Sequence, residues 1–399
     1  MQGDRQPRPP TEDAALPAGA EPRETAGRLH GELHDWLLHA ALPLWAQVGY
    51  DHVRGGFHER LSAEGAVAAD ARRARVQVRQ VFVFACAPQL GWDGDAAALV
   101  GGGLEYFFRH YRRADGLFRT LCASDGTPLD ERAFLYDQAF VLLALAASTR
   151  VLGAQPLLLD SAGALLESLL RLLKRSGPGF ESGIPERLPL LSNPHMHLLE
   201  AALAWCEVSE APAWRSLSEE VVALALTRLI EPGSGVLRER FGEDWLPQRD
   251  TEGRVIEPGH MFEWAWLLER HGGAQAAAAG LRLLRLAEAH GVQRGVVVNA
   301  LLDDLTLHDA QARLWPQTER LKANARLAPR DRRRWQAVAQ AALALKRYLA
   351  SAPEGLWYDM LTVNNRFIAE PAPASTFYHI VTAIAELGAA LNAGDAGRN

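Results

Sequence analysis

A glycine followed by apolar residues recurs six times along this chain at nearly even spacing. The six segments begin at Gly55, Gly116, Gly179, Gly235, Gly295 and Gly355. Successive segments lie 56 to 63 residues apart, with stretches of helical periodicity between them. A unit of about 60 residues holds two helices and a short extended link, so six helix pairs either stack into an open solenoid or close into a ring. Because one unit alone cannot bury its apolar face, the repeat favours a single large closed domain.

Composition excludes several functional classes. Apolar residues make up 48% and charged residues 23% of the 399 positions, which is ordinary for a globular protein. The net charge of -6 offers no basic surface for nucleic acid and no polybasic membrane signal. No apolar run approaches the roughly 20 residues that a membrane span requires, and the three cysteines lack the spacing of a zinc site or a disulfide framework. We therefore predict a cytoplasmic protein without a nucleic-acid or membrane partner.

The two ends of the chain are expected to lie outside the folded domain. Residues 1–24 contain five prolines and lack the apolar core of a signal peptide, so they are predicted to form a disordered tail. The first helix is expected from Ala26 to Trp45, where apolar residues have helical spacing. A single domain is predicted over residues 25–392, followed by a C-terminal tail over residues 393–399.

A histidine and a glutamate lie together in segment 257–264. Pro258 marks the first turn of a helix, and His260 and Glu263, three residues apart, share one face. A carboxylate that orients an imidazole and raises its basicity suits a general base near neutral pH. The alternative is a helix start with a surface histidine and an incidental glutamate.

Segment 193–200 repeats this arrangement. Asn193 is expected to cap the helix, and His197 and Glu200 again lie three residues apart. A functional and a structural role are equally open for His197. His195, nearer the helix start, is expected to be a capping or surface residue.

Three further segments carry candidate site residues. Trp315 and Glu319, four residues apart, would form an aromatic floor beside a carboxylate, unless they belong to an amphipathic core helix. His379 is predicted at the start of the last helix, where the helix N-terminus would lower its pKa; the alternative is a core histidine. Arg54, just before a repeat glycine, could bind a hydroxyl or an anion.

Other chemistries lack their motifs. The chain has no glycine-rich nucleotide loop and no Gly-x-Ser-x-Gly nucleophile elbow. Metal binding by His197, Glu200, His260 and Glu263 is conceivable. However, the His-x-x-Glu order reverses the Glu-x-x-His order of di-iron bundles, and thiolates are absent from these segments. We therefore predict no metal site.

The ordered set of these elements resembles the N-acylglucosamine 2-epimerase superfamily, which includes mannose, sulfoquinovose and cellobiose isomerases or epimerases. The matching elements are residues 54–57, 77–79, 193–197, 257–264, 315–319 and 378–379. The resemblance covers residues 28–390, and its most specific part is the Pro-Gly-His-x-x-Glu-Trp element. It implies an all-α fold, an (α/α)6 barrel of about twelve helices with short β links, in agreement with the sixfold period.

The resemblance also implies roles for individual residues. His260 and His379 match the general acid/base pair of the family. Side chains that match sugar-binding or orienting positions are Arg54, Asn193, His197, Glu263, Trp315 and Glu319. Proton transfer by the histidines through a cis-enediolate would need no metal or redox cofactor.

We predict a sugar aldose–ketose isomerase that converts D-mannose to D-fructose, acting as a monomer or homodimer on a monosaccharide. A mannose or N-acylglucosamine-type 2-epimerase is the alternative, since both reactions share one intermediate and the sequence leaves open which histidine takes the C2 proton. A paired-carboxylate glycoside hydrolase using Glu263 and Glu319, or a non-catalytic sugar-binding protein, would represent another class.

Three positions depart from the family pattern or leave it open. Phe118 stands where some sugar isomerases of the group have a tyrosine. Segment 371–376 lacks the Lys-Gly-Pro-Trp-Lys pattern of cellobiose and N-acylglucosamine epimerases, which favours a monosaccharide isomerase or mannose epimerase. Either Arg249 or Arg254 could supply the arginine of the loop before Pro258.

Overall fold

Long helices alternate between two concentric rings in the computed structural model, which describes residues 21–68 and 70–396, with side chains to residue 393. The inner helices are α2 (Ala74–Cys86), α4 (Leu135–Leu152), α6 (Ser192–Val208), α8 (Pro258–His271), α10 (Leu314–Leu327) and α12 (Ala374–Ala396). The outer helices are α1 (Pro22–Trp36), α3 (Ala96–Tyr111), α5 (Pro156–Leu172), α7 (Pro212–Leu224), α9 (Ala274–His290) and α11 (Trp335–Ala350). Each inner helix packs on the next and α12 packs back on α2, which closes the ring. The predicted (α/α)6 barrel is confirmed.

Shorter helical pieces extend or connect these helices. The π-helical turns Leu37–Ala41 and Trp45–Gly49, with Leu42–Leu44 between them, continue α1, and Ala225–Leu229 continues α7. Single turns of 3-10 or α-helix are Ala87–Leu90, Arg332–Arg334 and Thr251–Arg254.

Inner and outer helices differ in how much of their surface is buried. α5 buries one stripe, including Leu158, Ala162, Leu165 and Leu169, as expected of a helix with one face in solvent. α4 is buried on nearly every side, because an inner helix has the outer ring on one side and the barrel interior on the other. By length and composition α4 and residues 374–393 could cross a membrane, but 78% and 61% of these stretches are buried inside the protein.

Short antiparallel strands join neighbouring units where the inner helices begin. They are β1 (Arg60–Leu61), β2 (Arg72–Arg73), β3 (Leu121–Cys122), β4 (Pro128–Asp130), β5 (Ala133–Phe134), β6 (Gly183–Ile184), β7 (Leu190–Leu191), β8 (Arg240–Phe241), β9 (Val255–Ile256), β10 (Val292–Gln293), β11 (Val296–Val297), β12 (Ala300–Leu302), β13 (Leu307–Asp309), β14 (Ala312–Arg313), β15 (Met360–Leu361) and β16 (Ala372–Pro373). The pairs between units are β2–β3, β5–β6, β7–β8, β9–β12, β14–β15 and β16–β1. They form a second ring at the mouth of the barrel.

The repeat glycines occupy positions whose backbone conformation favours glycine. The glycines that open the six segments have φ between 75° for Gly235 and 90° for Gly116, in the left-handed region. Residues with a Cβ atom are strained there. The sixfold signal in the sequence is therefore a repeated turn that feeds each extended segment.

Side chains of the inner helices clamp these segments. The side-chain amide of Gln77 donates to the carbonyl of Phe57 while its oxygen accepts from the Phe57 N–H, both at 2.8 Å. Gln138 and Gln317 make the same pair of bonds in their own units. His195 takes this position in α6, where its Nε2 accepts from the N–H of Phe180. His195 is thus a structural residue, although it is buried rather than at the surface.

Helix boundaries differ from the prediction at both ends of the chain. α1 begins at Pro22, so residues 22–24 of the predicted tail are helical, while residues 1–20 lie outside the described part. Proline fits the first turn of a helix, and Arg23 ties α1 to α12 by donating to the carbonyl of Leu391 at 2.9 Å. α12 continues to Ala396, past the predicted start of the C-terminal tail at 393, and residues 397–399 lie outside the described part. Asn193 is not a cap, because α6 already begins at Ser192.

Candidate active site

One cavity of about 310 Å³ lies where the inner helices begin. Its lining residues are Arg79, Tyr136, Asn193, His197, Glu257, His260, Glu263, Arg313, Trp315, Asp359, Ser375, Thr376 and His379. All six inner helices contribute, each from its first two turns. The ring of helix starts therefore brings side chains from six distant segments to one polar hollow.

Six of the eight predicted site residues line this cavity: Asn193, His197, His260, Glu263, Trp315 and His379. Glu319 lies directly behind His379 and is buried. Arg54 lies elsewhere, on a loop. The two histidines predicted as an acid/base pair thus share a single hollow.

His260 is surrounded by carboxylates. Its Nδ1–H donates to Glu239 Oε1 at 3.0 Å, and Glu257 Oε1 lies 4.0 Å from the same nitrogen. Burial alone would lower the pKa of His260, but Glu239, Glu257 and Glu263 outweigh it and raise the pKa to about 10. His260 is therefore an imidazolium at neutral pH. The partner predicted from helix spacing, Glu263, lies nearby, but Glu239, from the extended segment after Gly235, makes the hydrogen bond.

His379 has the opposite charge state. Its Nδ1–H donates to Glu319 Oε1 at 2.8 Å, and the other oxygen of Glu319 lies 2.7 Å from the ammonium of Lys322. Burial, followed by the nearby charges of Arg79 and Lys322, holds the pKa of His379 well below its usual range. The predicted direction is confirmed. Its cause is burial and two cations rather than the helix N-terminus alone.

Trp315 lies between the two imidazoles. Its ring centroid is 5.0 Å from that of His260 and 5.7 Å from that of His379. A Cβ atom at Gly259 would lie 2.5 Å from the Trp315 ring, so the glycine of the Pro-Gly-His element makes room for this side chain. The apolar face of the tryptophan can carry the C–H face of a sugar between the two histidines.

His197 forms the predicted pair with Glu200. Its Nδ1–H donates to Glu200 Oε2 at 3.1 Å, and the hydroxyl of Tyr378 donates to the other oxygen of Glu200. Burial lowers the pKa of His197 to about 4 despite this carboxylate, so the ring is neutral. A neutral, oriented imidazole at the cavity wall can hydrogen-bond a sugar hydroxyl.

Arg79 supplies the cation of the site, which the sequence analysis assigned to Arg54. Arg79 is only 5% exposed and donates to the carbonyl of Ser375 and the hydroxyl of Tyr136. Its guanidinium carbon lies 4.0 Å from the centroid of the Phe140 ring, and its Nε–H has no partner among the described residues. A buried guanidinium with unused donors can hold a developing oxyanion.

The Arg54 side chain is 57% exposed and points to the loop residue Asp51, 3.9 Å away. Asp51 accepts backbone N–H bonds from Val53 and Arg54, which fixes the loop with the arginine outside the cavity. The signal that could have favoured Arg79 is the element at residues 77–79. In it the arginine lies two residues after the glutamine that clamps the extended segment, on an inner helix.

The structure also places Phe118 and the two loop arginines, Arg249 and Arg254, that the family pattern left open. Phe118 does not line the cavity; it packs against Phe107 in the hydrophobic core, and Tyr136 supplies a hydroxyl at the cavity wall instead. Arg254 is committed to Asp303 at 2.9 Å, and neither it nor the exposed Arg249 lines the cavity.

Glu239 and Asp359, which the sequence analysis missed, occupy one repeat position. Each lies four residues after its repeat glycine and contacts the start of an inner helix: Glu239 accepts from Ser192 and Asp359 from Thr376. Asn299, at the equivalent place, accepts from the backbone N–H of Arg313. A polar residue four positions after the glycine is therefore the signal that could have found them.

Two groups of side chains have metal-binding donors. Each of the sets His197, Glu200, Glu263 and Glu263, Glu319, His379 has donor atoms within 4.8 Å of one another. Lys322 supplies a positive charge to the same carboxylates, since Glu319, Glu263 and Glu200 together outweigh burial and raise its pKa. Because this ammonium already provides the balancing cation, we assign no metal to the cluster.

Comparisons with known proteins agree with this fold. The model of the family described as N-acylglucosamine 2-epimerase (GlcNAc 2-epimerase) matches residues 55–383. The chain is 47% identical over 373 residues to a protein of Rhizobium meliloti (strain 1021) named mannose-6-phosphate isomerase, covering 90% of this chain and 96% of that one. It is 31% identical over 212 residues to the D-mannose isomerase of Thermobifida fusca, covering 48% and 51% of the two chains. A crystal structure of a D-mannose isomerase has the same fold, with a TM-score of 0.83 and 19% identity over 94% of this chain and 100% of that one.

Proposed function

The chain belongs to the N-acylglucosamine 2-epimerase family and is a sugar isomerase or epimerase, and from that premise we propose that it interconverts D-mannose and D-fructose as an aldose–ketose isomerase. The observation that carries the proposal is the pair of histidines on either side of Trp315, one protonated and one neutral. Such a pair can give one proton and take another in the same step.

The first half of the reaction removes the C2 proton of open-chain mannose. The free Nε2 of neutral His379 takes this proton, because its Nδ1–H is held by Glu319. The C–H electron pair becomes the C1–C2 double bond, and the carbonyl pair moves onto O1, which takes a proton from His260. Arg79 stabilises the negative charge that develops on the sugar oxygens.

The second half delivers the proton to C1. His260 takes the proton of the O2 hydroxyl, the C2=O bond forms, and C1 accepts the proton that His379 carries. The product is fructose, and both histidines return to their starting states. No net proton is consumed. Because the proton on His379 can exchange with solvent while the enediol is bound, C1 can receive a solvent-derived proton.

A second candidate is 2-epimerisation through the same enediolate. In this case O1 keeps its negative charge beside Arg79 instead of taking the proton of His260, and His260 gives that proton to the opposite face of C2. The C1 carbonyl re-forms, mannose becomes glucose, and afterwards His379 releases its proton to solvent while His260 takes one up. The protonated state of His260 is the observation that keeps this outcome open. A glycoside hydrolase is not favoured, because Glu319 is bound to Lys322 and His379 and does not line the cavity.

We take the sugar to be unphosphorylated because of the relative named D-mannose isomerase. Cationic groups (Arg79, Arg313 and His260) and carboxyl groups (Glu257, Glu263 and Asp359) both line the cavity, so the charge of its wall favours neither form of the sugar. The relatives named for mannose and for mannose 6-phosphate both support a mannose skeleton.

The test is an incubation with mannose in deuterated water, followed by NMR of the products. Fructose labelled at C1 is the expected result, and glucose labelled at C2 would instead establish the epimerase. Parallel reactions with mannose 6-phosphate, and with a glycoside as the hydrolase control, complete the panel. We expect kcat/KM for mannose to exceed that for mannose 6-phosphate, and the reverse order would overturn the assignment of the neutral sugar. The cytoplasmic location and the monomeric or homodimeric state stay predictions.

A further inference from the structure

A fully buried lysine lies behind the cavity. Lys322 of α10 is 0% exposed, and its ammonium lies 2.7 Å from Glu319 Oε2. The same nitrogen lies 4.0 Å from the centroid of the Trp266 ring, a cation–π distance. A buried charge is costly unless it is paired, so this lysine needs the carboxylates around it.

Lys322 lies one side chain away from a reacting group. Glu319 connects the two, since its Oε2 contacts Lys322 while its Oε1 accepts from His379 at 2.8 Å. The buried row Lys322–Glu319–His379 therefore leads from the protein interior to the cavity wall.

Charged and titratable groups face His379 from several helices. They are Arg79 of α2, His197 and Glu200 of α6, Glu263 of α8, Glu319 and Lys322 of α10, and Tyr378 of α12 itself. α1 bonds the far end of α12, through Arg23 and Leu391. The set holds three carboxyl groups and two cations, and without Lys322 only one cation would remain.

We propose that Lys322 is a positioning residue, whose ammonium balances the charge of Glu319 so that His379 stays neutral and can accept the C2 proton. The inference rests on the proposed function. It explains why Glu319 can orient the ring without protonating it: the carboxylate is shared between a permanent cation and the imidazole.

The other histidine shows what happens without such a cation. Glu239 bonds the ring of His260 in the same way, but its second oxygen accepts from the hydroxyl of Ser192, a neutral group. The carboxylate charge then acts on the ring, and the pKa of His260 rises. Lys322 is thus one of the features that separate the two histidine–glutamate pairs, beside Arg79 near His379 and the additional carboxyl groups near His260.

The experiment compares pH profiles of kcat/KM for mannose in the wild-type enzyme, Lys322→Met and the double variant Lys322→Met/Glu319→Gln. Methionine fills the space against Trp266 without the charge. In Lys322→Met we expect the acid limb to move up by about one pH unit or more, with activity about tenfold below the wild type at a pH on the shifted limb and recovery at higher pH. The double variant should return the limb towards the wild-type position, because it removes both charges together.

A second Lys322 variant and a matched lysine control distinguish a shift in pKa from a loss of folding. Lys322→Gln, which can still bond Glu319, should show the same shift if the methionine variant folds poorly. Lys346→Met is the matched control, since Lys346 also pairs with a glutamate, Glu32 at 2.5 Å, but is 40% exposed and does not line the cavity. A uniform loss at every pH, with an unmoved acid limb, would reduce Lys322 to a structural role and overturn the inference.

A titration of the histidine rings by NMR separates this inference from the proposed function. The His379 signal, assigned with His379→Asn, should titrate at higher pH in Lys322→Met than in the wild type, whatever the substrate is. A wild-type enzyme that converts no aldose would end the proposed function. An unshifted His379 signal in the variant would end the inference about Lys322.

Discussion

The two histidine–glutamate pairs of the cavity use the same contact to opposite effect. In both, a ring Nδ1–H donates to a glutamate, at 3.0 Å for His260 and 2.8 Å for His379. His260 has further carboxyl groups around it, whereas the glutamate of His379 is shared with Lys322 and the ring faces Arg79. The charge state of each cavity histidine is thus decided by burial and the net charge of its surroundings, and not by its hydrogen-bond partner alone.

Removing either imidazole should have the largest effect on turnover. We expect His379→Asn and His260→Asn each to lower kcat by about 10²- to 10⁴-fold, the usual contribution of one general acid or base. The measurement is turnover of mannose, with circular dichroism to confirm the fold. His290→Asn, an exposed histidine at the end of α9, should keep wild-type turnover. Wild-type rates in either cavity variant would remove that histidine from the mechanism.

The next largest effect is expected on kcat/KM when Arg79, but not Arg54, is replaced. Arg79→Met should lower kcat/KM by about 10²- to 10³-fold, as expected for loss of a group that stabilises an oxyanion. Arg54→Met, with its side chain 57% exposed on the loop, should change kcat/KM less than about twofold. A larger effect at Arg54 than at Arg79 would restore the assignment made from the sequence.

Replacing Glu239, the hydrogen-bond partner of His260, should change the pH dependence of activity and so distinguish the two histidines. The acid role needs a protonated ring, so wild-type activity should fall only as pH approaches about 10. Glu239→Gln removes the nearest negative charge, lowers the pKa of His260 and moves this basic limb to lower pH, with a loss of about tenfold near the new limb. Glu354→Gln, at an exposed glutamate, should leave the limb in place. The proton-donor role of His260 fails if the limb is the same in Glu239→Gln and wild type.

The smallest effect is expected from metal removal. Lys322 provides the balancing charge for Glu200, Glu263 and Glu319. Dialysis against a chelator should therefore leave mannose turnover within experimental error of the untreated enzyme. A large loss that added metal restores would assign the carboxylate cluster to a metal ion.

Local sequence signals predicted part of the site. His260, His379, His197 and Trp315 stand near the starts of helices with recognisable spacing, and the closed ring brings all four to one cavity. The pair His197–Glu200 could be predicted because both residues belong to one helix. Helix spacing predicts the pair His260–Glu263 on the same ground, yet Glu239 bonds the ring, because the extended segment after Gly235 reaches it. Spacing within a helix cannot reveal a partner that arrives from elsewhere.

The sixfold repeat of the protein can be read from its sequence alone. Glycines at positions that require a left-handed φ mark each unit, and the apolar periodicity between them requires two helices per unit that bury their faces together. These are properties of short segments, so they can be read without knowing what packs against them.

Only the tertiary structure decided which charges meet. Glu239 reaches His260, Lys322 shares Glu319 with His379, and Arg79 rather than Arg54 faces the sugar cavity. Glu239 comes from an extended segment rather than from the helix of His260, and Glu319 and His379 belong to different units, so these contacts form only when the segments and helices pack together. Electrostatic roles depend on the summed charge at a point in space, and that sum is fixed when the ring closes.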